Sequence, residues 1–71
     1  MEEQEIKHRI AENIRMARAK KKFSQEFVAE QANISTKYMN SIENEKANPS
    51  ITIIVNICEV LEMELNKLLS Q

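Results

Sequence analysis

Thr36, Lys37, Asn40 and Ser41, near the middle of the chain, are the residues whose types and spacing can do recognition chemistry. Met39 and Ile42 fall among them, and on the helical period those two apolar residues share one inward edge, which turns the four polar ones outward. The chemistry they offer is hydrogen bonding. An ammonium, an amide and two hydroxyls place donors and acceptors along one helix face, and a short helix held by a single apolar edge fits a duplex major groove, where base edges are exposed. Catalysis has no comparable set. The one His, His8, and the one Cys, Cys58, stand about fifty positions apart, with no Asp and no glycine loop, so neither a metal-ligand set nor a nucleophile with its base can be assembled.

The elements that must position this face lie within Ser24 to Glu43. Val28, Ala29 and Ala32 recur at helical spacing and make one buried stripe, while Met39 and Ile42 make a second on a separate short helix from about Thr36 to Glu43. Between the stripes, Asn33 tolerates the left-handed conformation that ends a helix and Ser35 caps the next. Two helices joined by so short a turn have the layout of a helix-turn-helix. Phe23 precedes the cap Ser24 and can pack onto Val28, which makes Gln25 the first residue of the earlier helix.

Outside this unit, Ile6, Ile10, Ile14 and Ala17 predict a first helix from about Glu5 to Lys21, its first turns being either helix or a frayed acidic arm. His8 lies there as an exposed helical residue. After a loop from Asn44 to Ser50, Pro49 favours an extended lead-in and Ser50 caps a fourth helix. Its stripe is Ile51, Ile54, Ile57, Cys58 and Leu61, widened by Ile53, Val55 and Val60, and Met63, Leu65, Leu68 and Leu69 follow on a short last helix. With 71 residues, no Gly, one Pro and no β-alternation, the chain reads as all-α, a compact five-helix domain over residues 1–71 in which 1–9 extend the first helix. Cys58 has no disulfide partner and is expected to be a reduced core residue. The acidic start is unlike a signal peptide, and no apolar run approaches membrane-spanning length, so a cytoplasmic protein with no membrane partner is expected. Nothing in the residues implies a metal, a cofactor or a small-molecule ligand.

The net charge of −1 hides an uneven distribution. Arg15, Arg18, Lys20, Lys21 and Lys22 form a basic run, whereas Glu2, Glu3 and Glu5 open the chain and Glu26, Glu30, Glu43 and Glu45 outweigh Lys37 and Lys46 in the helix-turn-helix. A basic end of the first helix beside a low-charge recognition helix is compatible with phosphate contact and predicts modest, salt-sensitive affinity.

Gln25-Glu26, Ala29, Ile34-Ser35, Tyr38-Met39-Asn40-Ser41-Ile42-Glu43-Asn44 and Asn48-Pro49-Ser50 together resemble the DNA-binding domains of the phage Cro and lambda-repressor type, over about Ile10 to Leu69. The resemblance implies that Thr36, Lys37 and Ser41 contact bases with Asn40 beside them, and that Ser35 starts this surface. Lys37 would donate to guanine, Asn40 would meet adenine and Thr36 a thymine methyl. It further implies that Gln25 meets a phosphate and steadies a recognition-helix side chain, that Tyr38 lies along the backbone, and that Asn44 and Lys46 meet phosphates from the loop. Arg18 would pair with Glu43 as a register pin between the first and third helices. Departures from the pattern are Phe27, at a usually charged position and expected to pack on the N-terminal extension, and missing glycines at Lys22, Asn33, Glu45 and Glu62. Glu45 puts a carboxylate near presumed phosphates and obliges Asn44 to absorb the turn, or the loop to differ.

The implied function is a transcriptional regulator, repressor or activator, acting as a homodimer through helix 4 and helix 5 on an inverted-repeat double-stranded DNA operator. Cro-like phage repressors, restriction-modification controllers and antitoxin-type autoregulators are all contexts it would suit. The acidic balance, Glu45 and Phe27 keep open an interaction module that binds protein on the same scaffold.

Overall fold

Three serines begin three of the helices. The hydroxyls of Ser24, Ser35 and Ser50 accept from the backbone N–H groups of Phe27, Tyr38 and Ile53, each three residues on, satisfying donors that a helix start leaves free. The computed structural model describes residues 1–71 and contains α1 Glu3–Lys21, α2 Gln25–Gln31, α3 Thr36–Glu43, α4 Ile51–Leu61 and α5 Leu65–Leu68, with no strand. The fold is all-α. α1 begins two residues before the predicted start, so most of the acidic segment is helix, held by Lys7 to Glu3 at 3.0 Å and Arg9 to Glu5 at 2.7 Å.

One core joins every helix: Ile10 and Ile14 from α1, Val28 and Ala29 from α2 with Ala32 just after it, Met39 and Ile42 from α3, Ile54, Ile57, Cys58 and Leu61 from α4, and Leu68 from α5. Cys58 is a free thiol, and burial pushes its pKa up and keeps it protonated. α1 is the clamp on the chain end: Asn13 donates to the carbonyls of Leu68 and Ser70 at 2.8 and 2.9 Å, and Arg9 to that of Leu69 at 2.9 Å. These carbonyls close α5, which is too short to satisfy them itself.

Two apolar residues depart from the predicted stripes. Ile51 is 64% exposed, because the first turn of α4 projects past the core that Ile54 and Ile57 reach. Met63 lies in the turn before α5 and Leu69 just beyond its end.

The glycine-free turns are made by residues that accept the left-handed conformation: Lys22, Asn33, Glu45 and Glu62 have φ of 60°, 61°, 62° and 55°. Each turn closes in the same way. At the first, the Lys22 N–H donates to Ala19 and the Phe23 N–H to Arg18; at the last, the Glu62 N–H donates to Glu59 and the Met63 N–H to Cys58. Asn44, with φ of −100°, does not absorb the α3–α4 turn; Glu45 does. A left-handed Lys carries a steric penalty that Gly lacks, partly offset by the greater freedom of Gly in the unfolded chain. Lys22→Gly is therefore expected to raise stability by roughly 0.5–1 kcal/mol in urea denaturation. A variant no more stable than the parent would show that this turn carries no strain.

Candidate nucleic-acid interface

α3 is held from behind and open in front. Met39 and Ile42 are buried in the core, whereas Thr36, Lys37 and Asn40 are exposed and Ser41 is half-buried at the edge. Tyr38 is half-buried and packs against the core, so only part of its side chain reaches the surface. Among the outward side chains of α3 hydrogen bonding is confined to Asn40, which leaves the Lys37 ammonium and the Thr36 hydroxyl available to a partner.

Behind this face lies a chain of polar contacts centred on Glu43, the one charged residue in the buried set at 3% exposure. Arg18 of α1 grips its carboxylate with two parallel bonds, Nε to Oε2 at 2.7 Å and Nη2 to Oε1 at 2.9 Å, while its third nitrogen donates to the Phe23 carbonyl at 2.9 Å. Gln25 at the start of α2 donates to the same carboxylate at 3.2 Å. Its amide oxygen accepts from Asn40 at 3.3 Å, and Asn40 in turn accepts from Asn44 at 2.9 Å. Arg15, which the sequence reading did not single out, donates to the main-chain carbonyl of Glu43 and so satisfies a free acceptor at the end of α3. Its signal was present: Arg15 and Arg18 are three apart on α1 and share a face.

This arrangement revises the reading of the basic run. Arg15 and Arg18 bond to Glu43, and Lys21 pairs with Glu62 in the turn before α5, holding that exposed carboxyl below its usual range. Lys20 and Lys21 line a hollow with Leu61, Met63 and Lys67, away from α3. Much of the positive charge therefore serves the fold, and Lys37 and Lys46 are the exposed cations on α3 and its following loop.

In that loop the N–H groups of Glu45 and Lys46 donate to the carbonyls of Ile42 and Ser41, which leaves those of Ala47 and Asn48 without an internal acceptor. The Glu45 carboxylate does not stand alone. It approaches His8 Nδ1 at 2.8 Å and accepts from Gln4 Nε2 at 3.2 Å, both from the first turns of α1. The bond to His8, then that to Gln4 and the nearby positive charge of Arg15, outweigh partial desolvation and hold this carboxyl below its ordinary pKa. A lowered folded-state value means that the contact adds stability above the unfolded carboxyl pKa and loses it as pH falls through the lowered one. His8 is thus exposed, as expected, but engaged. Phe27 does not lie on the N-terminal extension: its ring rests on Phe23, centroids 4.7 Å apart and tilted by 51°, and remains 41% exposed.

A capped short helix presenting an open polar face, braced by the helix before it across a tight turn, defines a helix-turn-helix of the DNA-binding kind. The Helix-turn-helix family model matches residues 14–68, and the chain belongs to that family, of the Cro and lambda-repressor type. Among solved structures it is similar to a hypothetical transcription factor from Neisseria, with 28% identity over 96% of this chain and 76% of that one and a TM-score of 0.89. The restriction-modification controller protein C.AhdI from Aeromonas hydrophila shares the fold at 24% identity, 87% and 94% coverage and a TM-score of 0.83. So does the clp gene regulator ClgR from Corynebacterium glutamicum, at 20% identity, 90% and 68% coverage and a TM-score of 0.86. No curated protein matches the chain significantly.

Proposed function

We propose that this protein is a sequence-specific transcriptional regulator, a single domain over residues 1–71 that binds double-stranded DNA in the cytoplasm as a homodimer on an inverted-repeat operator. The observation that carries the reading is the open outer face of α3, with Lys37 and Thr36 unengaged while Met39 and Ile42 anchor its back. Family membership and the likeness to a Neisseria protein described as a hypothetical transcription factor support it. In this role Thr36, Lys37 and Ser41 read base edges in the major groove, and Asn40 joins them from a position set by Gln25. Ser35 and Tyr38 flank the groove. Gln25, Asn44, Lys46 and the free N–H groups of Ala47 and Asn48 meet phosphates.

The homodimer follows from size and surface. Two recognition helices must lie about 34 Å apart to enter successive major grooves, and one copy spans only 30 Å along its longest axis. Ile51 and Val55 on α4, with Leu65 and Leu69 at α5, remain exposed although apolar, and covering them with a second copy accounts for their type.

Selection of bound fragments from random duplex DNA, followed by titration at two salt concentrations, tests the reading. Enriched fragments should contain an inverted repeat, and with few cations at the interface log Kobs should fall against log salt with a slope of about −2 to −4. No enrichment, or binding indifferent to salt, would refute it in favour of a protein-binding module. Ile51→Glu with Leu65→Glu should give a monomer by light scattering and weaken operator binding; an unchanged dimer would place the interface elsewhere.

A further inference from the structure

The family's match begins at residue 14, so Gln4 and His8 lie on a part of α1 outside it. Yet their side chains reach across to the loop after α3, more than thirty residues later in the chain, and both end on the Glu45 carboxylate, one on each oxygen, at 3.2 and 2.8 Å. Glu45 occupies the left-handed position on which the turn depends, and the two residues that follow Lys46 expose the loop's free N–H groups. An unpartnered carboxylate there would stand in the path of a phosphate, and its removal by rotation alone would leave the negative charge in place.

We propose that Gln4 and His8 are positioning residues for DNA binding: they hold the Glu45 carboxylate against α1, and protonated His8 cancels its charge, so that the loop can accept a phosphate. This rests on the DNA-binding reading above. Charged groups around the contact come from three elements. Glu5, Arg9 and Glu12 on α1 and Lys67 on α5 line the hollow that His8 shares, Arg15 of α1 acts on Glu45 from its other side, and Lys46 follows it in the loop. Arg9 is bonded to Glu5, and the Arg15 guanidinium to the Glu43 carbonyl, so neither competes directly for the Glu45 oxygens. His8 is the only histidine in the chain, which gives a titration near neutral pH a single imidazole source. The sign follows: acidification charges His8, completes neutralisation of Glu45 and strengthens DNA binding, and alkalinisation restores the repulsion.

The test uses the full chain and a fluorescein-labelled duplex of mixed random sequence, read by anisotropy at constant ionic strength from about pH 6 to about pH 8, the window in which His changes charge. The wild type should bind about threefold more weakly at the alkaline end, the size expected for one partly exposed charge pair. His8→Gln should bind at the weak level throughout, with no pH dependence. Glu45→Gln should also lose the pH dependence but bind at the tight level, and adding His8→Gln to it should change nothing further. A pH dependence surviving in either single variant, or Glu45→Gln binding more weakly than the wild type, would overturn the proposal while leaving the DNA reading intact. Failure of the wild type to bind duplex at any pH would overturn both. Without DNA, the amide resonances of Asn44 and Glu45 should shift with pH in the wild type and stay fixed in His8→Gln, a readout that a merely helical role for His8 would not produce. Both residues are at least partly exposed, so the variants should keep the wild-type melting curve, and circular dichroism verifies it.

Discussion

Replacement of Arg18 by Ala is expected to lower stability by about 3 kcal/mol, the range found when one partner of a buried ion pair is removed. The reason is what remains. Glu43 would stay 3% exposed, with Gln25 as its remaining side-chain donor, and its charge would no longer be balanced at hydrogen-bond distance. The Phe23 carbonyl would lose its Arg18 bond too. A chain of this size has roughly 4–10 kcal/mol of stability in total, so the variant would lose a large share of it and melt about 15 °C lower. In urea the midpoint should fall with little change in slope. Arg18→Met combined with Glu43→Leu should recover most of the loss, because two apolar groups of similar volume leave no buried charge behind. An unchanged melting point in Arg18→Ala would mean that Glu43 finds solvent or another partner, and the pair would then not pin α1 to α3.

The second large effect concerns binding and leaves the fold alone. Lys37→Ala should weaken operator binding by about 10- to 100-fold per copy, the span of one good base contact, with stability changed by less than about 0.5 kcal/mol because the side chain touches no other element. Comparison across operators distinguishes what Lys37 contacts. Lost base contact relaxes preference at one position of each half-site, whereas lost phosphate contact weakens all sequences alike and lowers the salt slope by about one. Equal affinity before and after would remove Lys37 from the interface.

The parts of this molecule legible in the sequence are those governed by neighbouring residues. A Ser three positions ahead of the donor it caps is local information, and Ser24, Ser35 and Ser50 mark the starts of α2, α3 and α4. The inward edge of α3 was likewise readable from the spacing of Met39 and Ile42. What misled was tertiary. Glu45 was judged by its poor fit to a left-handed turn, but contacts from Gln4 and His8 hold it there, and those partners lie in a segment with no pattern pointing to them. Phe27 was assigned to the extension when its ring had a closer companion in Phe23. Ile51 fitted the stripe of α4 by spacing alone, although a helix's first turn can overshoot the core it points toward. The basic run was read by its charge, and only the fold shows how many of its members are bonded internally.

The line of contacts from Arg18 through Glu43 and Gln25 to Asn40 and Asn44 draws on α1, α2, α3 and the residue that ends α3. Asn40 is consequently not an interchangeable letter: its amide is oriented by an α2 residue fifteen positions earlier, whose own amide is oriented by a carboxylate that α1 holds. Grafting residues 36–43 onto another scaffold would transplant the side chains without their orientation. Altered sequence preference in this lineage should therefore arise through paired changes at positions 25 and 40, with single exchanges on the recognition helix giving weak binders more often than redirected ones.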